Sequence, residues 1–280
     1  LVINFSFEAA NMPLTGKKIL ITGANGGLGR AIAALAHAQG ASLALCERTP
    51  ELAQAAKDAL LADTKPEAAK NVHTAHADLR DSEAVAAMVA HSIDALAGLD
   101  GVVNNAATLA EDDTGPVETP LDSWQSTLDV NLTGAFLVYK NALPHLIEQQ
   151  SGSLVTLSSV VAHSASATAQ IAYTTSKGAL EAMTREIAIA HARDNIRANC
   201  VAPGPVLTER TARYFDTAEK WATRRQHIPM GRLGRPEEIA ASVCFLLSDG
   251  AGWQTGSIMR VDGGISAAYV VDDSNGSDTP

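Results

Sequence analysis

The sequence predicts a single α/β domain: a doubly wound, mainly parallel seven-stranded sheet with helices on both faces. Two observations carry that reading. Apolar runs of four to six residues alternate with helical stretches of ten or more, and the breaks between them leave no linker to divide the chain. Ala and Gly are abundant while aromatics make up only 4%, which suits helices packed closely on a sheet better than an aromatic-rich sandwich. At 280 residues, one such domain buries a sizeable core.

The elements follow in order. Residues 18–22 form an apolar strand, 23–29 a Gly-rich turn and about 28–39 a helix with Ile32, Leu35 and Ala36 on its apolar side. Gly40 closes that helix as a C′ glycine. A strand at 42–46 and a helix at 50–61 come next, then a strand at 72–77. The helix at 82–96 has Ser82 as its cap and Glu83 in its first turn, and leads to a strand at 99–103. A long helix spans 123–147, followed by a strand at 153–157, a helix at 172–192 and a strand at 196–201. Helix 236–247 and strand 257–261 complete the domain, 12–266. Residues 1–11 read as a disordered extension and 267–280 as a polar tail. Segment 205–232 is the one long excursion. It leaves a strand at the sheet's carboxyl edge, where ligands bind in such folds, and is expected to lid the substrate.

Charge and composition exclude several function classes. A net charge of -10 repels polyanions, so no nucleic-acid partner is expected. No apolar run is long enough for a membrane span. Cys46, Cys200 and Cys244 are far apart and in no paired spacing, which predicts reduced, buried thiols in a cytoplasmic protein. His73 and His76 have no third ligand, so no metal site is expected.

The turn Thr22-Gly23-Ala24-Asn25-Gly26-Gly27-Leu28-Gly29 sits between a strand and a helix, the context of a dinucleotide-binding loop. Gly23 permits the tight turn, Gly27 removes a side chain where the diphosphate approaches, and Gly29 lets the helix meet the sheet. Glu47 ends the second strand, where a carboxylate accepts from both ribose hydroxyls of NAD and repels the 2′-phosphate of NADP. Arg48 argues the other way, but the Gly-rich turn holds no Lys or Arg, so NAD is favoured over NADP. Asp78 and Leu79 end the third strand in a place that suits adenine. Asn104-Asn105-Ala106-Ala107 ends the fourth, its amides bracing the backbone or touching the ribose.

Tyr173 and Lys177 are four apart at the start of a helix and share a face. An ammonium nearby is expected to lower the phenol's pKa into a usable acid/base range. Ser158 and Ser159 end the preceding strand, where a hydroxyl can donate to a substrate oxygen. Asn131 interrupts the long helix between Val130 and Leu132 and holds either a water or a helix–helix hydrogen bond. His163 is either a substrate contact or a surface residue of its loop. Arg210, with Arg213, Arg224 and Arg225, either meets an acidic substrate or balances surface charge.

Together these residues resemble the short-chain dehydrogenase/reductase family in its common short form. The resemblance runs from Leu14 to Gly264 and rests on an ordered set. TGANGGLG at 22–29 comes first, then NNA at 104–106, Asn131 within DVNLTG, and the serine pair. YTTSK at 173–177, APGPVLTE at 202–209, GRLGRPEEIA at 231–240 and VDGG at 261–264 complete it. It implies a Rossmann fold and hydride transfer between a nicotinamide and a small secondary alcohol or ketone. Tyr173 is then the general acid/base, Lys177 also bonds the nicotinamide ribose, Ser159 positions the substrate oxygen and Asn131 holds a relay water. Pro203, Gly204 and Val206 resemble the segment that anchors the carboxamide, and Thr208 a side chain on the cofactor. Members are commonly homotetramers, so a tetramer (or dimer) is expected. An NADPH-dependent carbonyl or 3-oxoacyl reductase is the alternative within enzymes, and a cofactor-binding scaffold the alternative outside them. Two departures bear on the pocket: Ser159 lies fourteen residues before Tyr173 where the family usually has thirteen, and Ala107 stands where it usually has Gly. A methyl at Ala107 is tolerable if φ is negative.

Overall fold

The structure, a computed structural model, describes residues 14–62, 66–166 and 168–268. The extension 1–11 and most of the tail 267–280 lie outside the described residues. Seven parallel strands form one sheet in the order β3-β2-β1-β4-β5-β6-β7. They are β1 (Lys18–Thr22), β2 (Ser42–Glu47), β3 (Val72–His76), β4 (Gly101–Asn104), β5 (Gly152–Leu157), β6 (Ile196–Pro203) and β7 (Ile258–Val261). Strand order reverses between β1 and β4, so the carboxyl ends of these neighbours open a crevice.

Helices α1 (Gly27–Ala38), α2 (Pro50–Leu61) and α8 (Pro236–Leu247) cover one face of the sheet, while α3 (Ser82–Leu96), α5 (Gly134–Gln149) and α6 (Ile171–His191) cover the other. Ile32, Ala36, Ile239 and Val243 fill the first layer; Val85, Val89, Val138 and Leu146 fill the second. Both faces being covered explains why the strands read as continuous apolar runs instead of alternating ones. Helix α1 does end as expected, with Gly40 at φ +89°.

Several boundaries differ from the sequence reading. Leu99 is buried, yet β4 starts only at Gly101, because Asp100 turns its carboxylate onto the Lys18 N–H at 2.8 Å before the ladder begins. Asp81, not Ser82, caps α3, accepting from Glu83 N and Ala84 N at 2.9 and 3.1 Å. The long helix is broken into α4 (Leu121–Leu128), a π-helical turn (Asp129–Thr133) and α5. Within 205–232 lies an unanticipated helix, α7 (Ala218–Arg225), whose Trp221 packs with Phe215, Ile228 and Leu233 in a small core of its own. Among the described residues, no helix is long and apolar enough to cross a membrane, and no group of three or more His, Cys, Asp or Glu is placed to hold a metal. All three cysteines are buried and unpaired.

Candidate active site

One cavity of about 870 Å³ runs along the carboxyl edge of the sheet, from the Gly-rich turn to Tyr173. At its floor, Asn105 braces the crevice: its Nδ2 donates to Thr22 O and Gly23 O at 3.1 and 2.8 Å, and its N–H donates to Thr22 Oγ1 at 3.1 Å. Of the two roles open to the Asn pair, the structure shows the bracing one for Asn105. Gly23 adopts φ +65°, and a Cβ there would lie 2.8 Å from Ala106 Cα. A Cβ at Gly29 would lie 2.1 Å from Gly23 O, so that position closes the turn against the helix. Gly27 leaves room for a second neighbour as well, since a Cβ there would meet Thr208 Cγ2 at 2.8 Å. Ala107 is not among the residues with positive φ, so its methyl is accommodated.

The residues present fit a dinucleotide. No side chain caps the N-terminus of α1, and Gly26 and Gly27 line the cavity there, leaving backbone donors for a diphosphate. Glu47 and Arg48 line the same end, with Asp78, Leu79, Ala106 and Ala107. One oxygen of Glu47 accepts from Asn25 N at 2.7 Å, which ties the turn to β2. Arg80, missed in the sequence, grips both oxygens of Asp78, its Nε and Nη2 lying 3.0 and 2.5 Å away. That hydrogen bonding holds the Asp78 carboxyl down to about 2. Pro203, Gly204, Val206 and Thr208 border the cavity opposite α1.

At the other end, α6 presents Tyr173 and Lys177. The helix starts without a side-chain cap of its own at Gln170. Asp113, in the loop after β4, supplies the cap: its two oxygens accept from Ala172 N and Tyr173 N, both at 2.9 Å. Nothing local in the sequence marks Asp113, since its partners lie 59 and 60 residues away. Lys177 is buried and donates from Nζ to Leu157 O at 2.7 Å, with Nζ 5.5 Å from the centre of the Tyr173 ring. Burial drops the Lys177 ammonium to about 8.

The expected lowering of the tyrosine is overturned in this ligand-free arrangement. Burial raises the Tyr173 phenol, and only the Arg210 charge and a hydrogen bond with Ser159 act against it. The dry surroundings outweigh the nearby ammonium.

The two serines part company. Ser159 turns to Tyr173, whereas Ser158 turns inward and donates to Glu181 Oε1 at 2.7 Å. His163 goes the same way: its Nε2 lies 3.3 Å from Glu181 Oε1, and it is not among the residues lining the cavity. It is therefore no substrate contact here. Asn131 is buried in the π-helical turn. Its Oδ1 accepts from Thr108 N at 2.7 Å, and its Nδ2 donates to Thr108 O at 2.9 Å and Ser176 Oγ at 3.1 Å. These bonds tie the loop after β4 to α6. Arg210 lines the cavity beside Tyr173.

Comparison with known proteins agrees with this geometry. Residues 23–266 match the family described as "Enoyl-(Acyl carrier protein) reductase". "Glucose 1-dehydrogenase 2" of Bacillus subtilis is 32% identical over 256 residues, covering 90% of this chain and 96% of the relative. "3-oxoacyl-[acyl-carrier-protein] reductase FabG" of Aquifex aeolicus is 33% identical over 252 residues, covering 90% and 98%. A solved short-chain type dehydrogenase/reductase from Mycobacterium ulcerans superposes with a TM-score of 0.86 at 27% identity, covering 93% of each chain. The chain belongs to the short-chain dehydrogenase/reductase family. It is an oxidoreductase of alcohol and carbonyl groups, with the Rossmann fold and nicotinamide dependence of that family.

Proposed function

We propose that this enzyme uses NAD(H) to interconvert a small secondary alcohol and its ketone, with Tyr173 as general acid/base. The observation that carries this reading is one continuous cavity with an uncapped helix N-terminus and Glu47 at one end and the Ser159–Tyr173–Lys177 cluster at the other. A bound nicotinamide supplies the hydride acceptor or donor. Ser159 holds the substrate oxygen by its hydroxyl. In oxidation, the Tyr173 phenolate takes the alcohol proton; in reduction, the phenol returns a proton to the forming alkoxide. Lys177 stabilises the phenolate by its charge, and Asn131 keeps the loop after β4 seated on α6. The family's relay water is assigned to Asn131.

NAD is preferred over NADP because Glu47 ends β2 inside the cavity, where its charge opposes a 2′-phosphate. Arg48 lines the same end and supports the second reading, an NADPH-dependent reductase. We assign the protein to the cytoplasm, supported by its three unpaired buried cysteines, and to a homotetramer (or dimer), supported by the family resemblance. Fluorescence titration separates the cofactors: NADH is expected to bind at least about tenfold more tightly than NADPH, a preference that Glu47→Gln reduces. Tighter NADPH binding would transfer the assignment to the second reading. Tyr173→Phe is expected to lower turnover by about 100-fold or more while leaving the NADH Kd unchanged. Full turnover in that variant would refute the mechanism.

A further inference from the structure

We propose that Arg210 forms an oxyanion subsite beside Tyr173, so that the enzyme's substrates are hydroxy or oxo acids carrying a carboxylate near the reacting carbon. This deepens the oxidoreductase reading above and rests on it.

Arg210 follows β6 on the segment that covers the cavity, and it lines that cavity together with Ser159 and Tyr173. Its only hydrogen bond among the described residues runs from Nη1 to Ala107 O at 3.3 Å, which occupies one corner of a five-donor fork. No carboxylate among the described residues lies within ion-pair distance of it. Neighbouring arginines are engaged differently: Arg213 lies 3.9 Å from Glu111 and over the Tyr214 ring, and Arg232 pairs with Glu238 at 2.7 Å.

The surroundings favour an anion. The substrate end is walled by Leu109, Val160, Val161 and Tyr214, with Gln170 at its rim, and none of these carries negative charge. The carboxylates that line the cavity, Glu47 and Asp78, belong to the Gly-rich-turn end. Lys177, the other cation near Tyr173, is committed to Leu157 O. The Arg210 charge also reaches the reacting group, since it opposes the rise of the Tyr173 phenol. A guanidinium so placed suits bidentate binding of a planar carboxylate, with the reacting carbon held between it and Tyr173. The same fork can also take an oxyanion from the cofactor diphosphate, because Thr208, two residues earlier, sits against Gly27. The experiment therefore distinguishes the two sources.

NADH binding to the wild-type enzyme is measured first by fluorescence. Failure there sinks the oxidoreductase reading and the subsite with it. The NADH-saturated enzyme is then titrated with 4-oxocyclohexanecarboxylate, 3-oxobutanoate and the matching neutral amides. Each carboxylate is expected to bind about tenfold or more tightly than its amide. Arg210→Gln is expected to erase that preference by weakening the carboxylates alone, leaving the amide and NADH affinities unchanged. Arg210→Lys, which keeps the charge and loses the fork, is expected to fall between. Because Arg210 is exposed, the melting temperature of both variants should match the wild type, which excludes misfolding as the cause. Three results overturn the subsite while leaving the oxidoreductase reading standing: no carboxylate preference in the wild type, a preference that survives Arg210→Gln, or a loss in Arg210→Gln that falls on NADH instead.

Discussion

Tyr173 and Lys177 are held away from their ordinary ionisation by the same cause, burial, which raises the phenol and brings the ammonium down to about 8. Groups this close release protons as a pair, so activity reports an apparent value that belongs to both. In oxidation the phenolate is the working form, so the rate should rise with pH through that value, and the reductive rate should fall through it. Lys177→Met removes a cation 5.5 Å from the ring and leaves the phenolate without its compensating charge. Its oxidative limb should therefore move to higher pH, and Lys177→Arg should restore it in part. Initial rates from pH 6 to 10, with cofactor saturating, test this; an unmoved limb in Lys177→Met would remove the lysine from the acid/base pair. Folding stability carries the same signature. Between about 8 and the ordinary lysine value of about 10.4, the unfolded chain binds the Lys177 proton and the folded chain does not, so this group's contribution rises as pH rises through that window.

At the scale of elements, the position of Tyr173 depends on how α6 begins, and α6 begins on a carboxylate from another part of the chain. Asp113 accepts from Ala172 N and Tyr173 N and places negative charge at the positive end of a 21-residue helix. Asp113→Asn keeps one acceptor oxygen and loses both the charge and one of the two bonds. It should cost about 1–2 kcal/mol of stability and lower kcat more than it changes the NADH Kd, because Tyr173 shifts while the Gly-rich turn, on α1, does not. Urea unfolding with steady-state kinetics checks both parts; equal loss in kcat and in NADH affinity would mean a general loosening instead. This dependence also shows what the sequence exposes and what it conceals. The Gly-rich turn and the Tyr–Lys pair are legible because each is a local pattern whose chemistry is complete within eight residues or fewer. Asp113, Arg80 and the Ser158–Glu181–His163 cluster are not, because their partners are set by three-dimensional packing or, for Arg80, by a turn that brings it back onto Asp78. The π-helical turn at Asp129–Thr133 escapes for a related reason: its extra residue per turn leaves the apolar pattern on either side intact. Helix α7 escapes because it buries only Trp221, too little to show a period.

The whole molecule leaves apolar side chains outside a core that is otherwise closed. The two cores account for the buried sides of α5 and α6, where Val138, Tyr139, Ala142 and Leu146 meet the sheet on one and Leu180 and Ala188 are buried on the other. On the outer sides of the same helices, Phe136 is 50% exposed and Ile189 78% exposed. Trp253, after α8, is fully exposed, and Leu121, at the start of α4, nearly so. Scattered apolar residues on a surface need no explanation, but two on adjoining long helices fit a self-complementary face of the kind that a two-fold axis produces. The proposed homotetramer (or dimer) buries that face through α5 and α6. Each exposed side chain then gains roughly 1.5–3 kcal/mol on association, and a charge placed there must be buried unpaired in every symmetric copy. Phe136→Glu combined with Ile189→Glu should therefore lower the assembly by at least one two-fold step, from tetramer to dimer or from dimer to monomer, with unchanged far-ultraviolet circular dichroism. Sedimentation equilibrium at micromolar concentration measures it. A wild-type chain that sediments as a monomer would remove the assembly from the account, and a double variant that keeps the wild-type mass would move the interface elsewhere, with Trp253 the next position to alter.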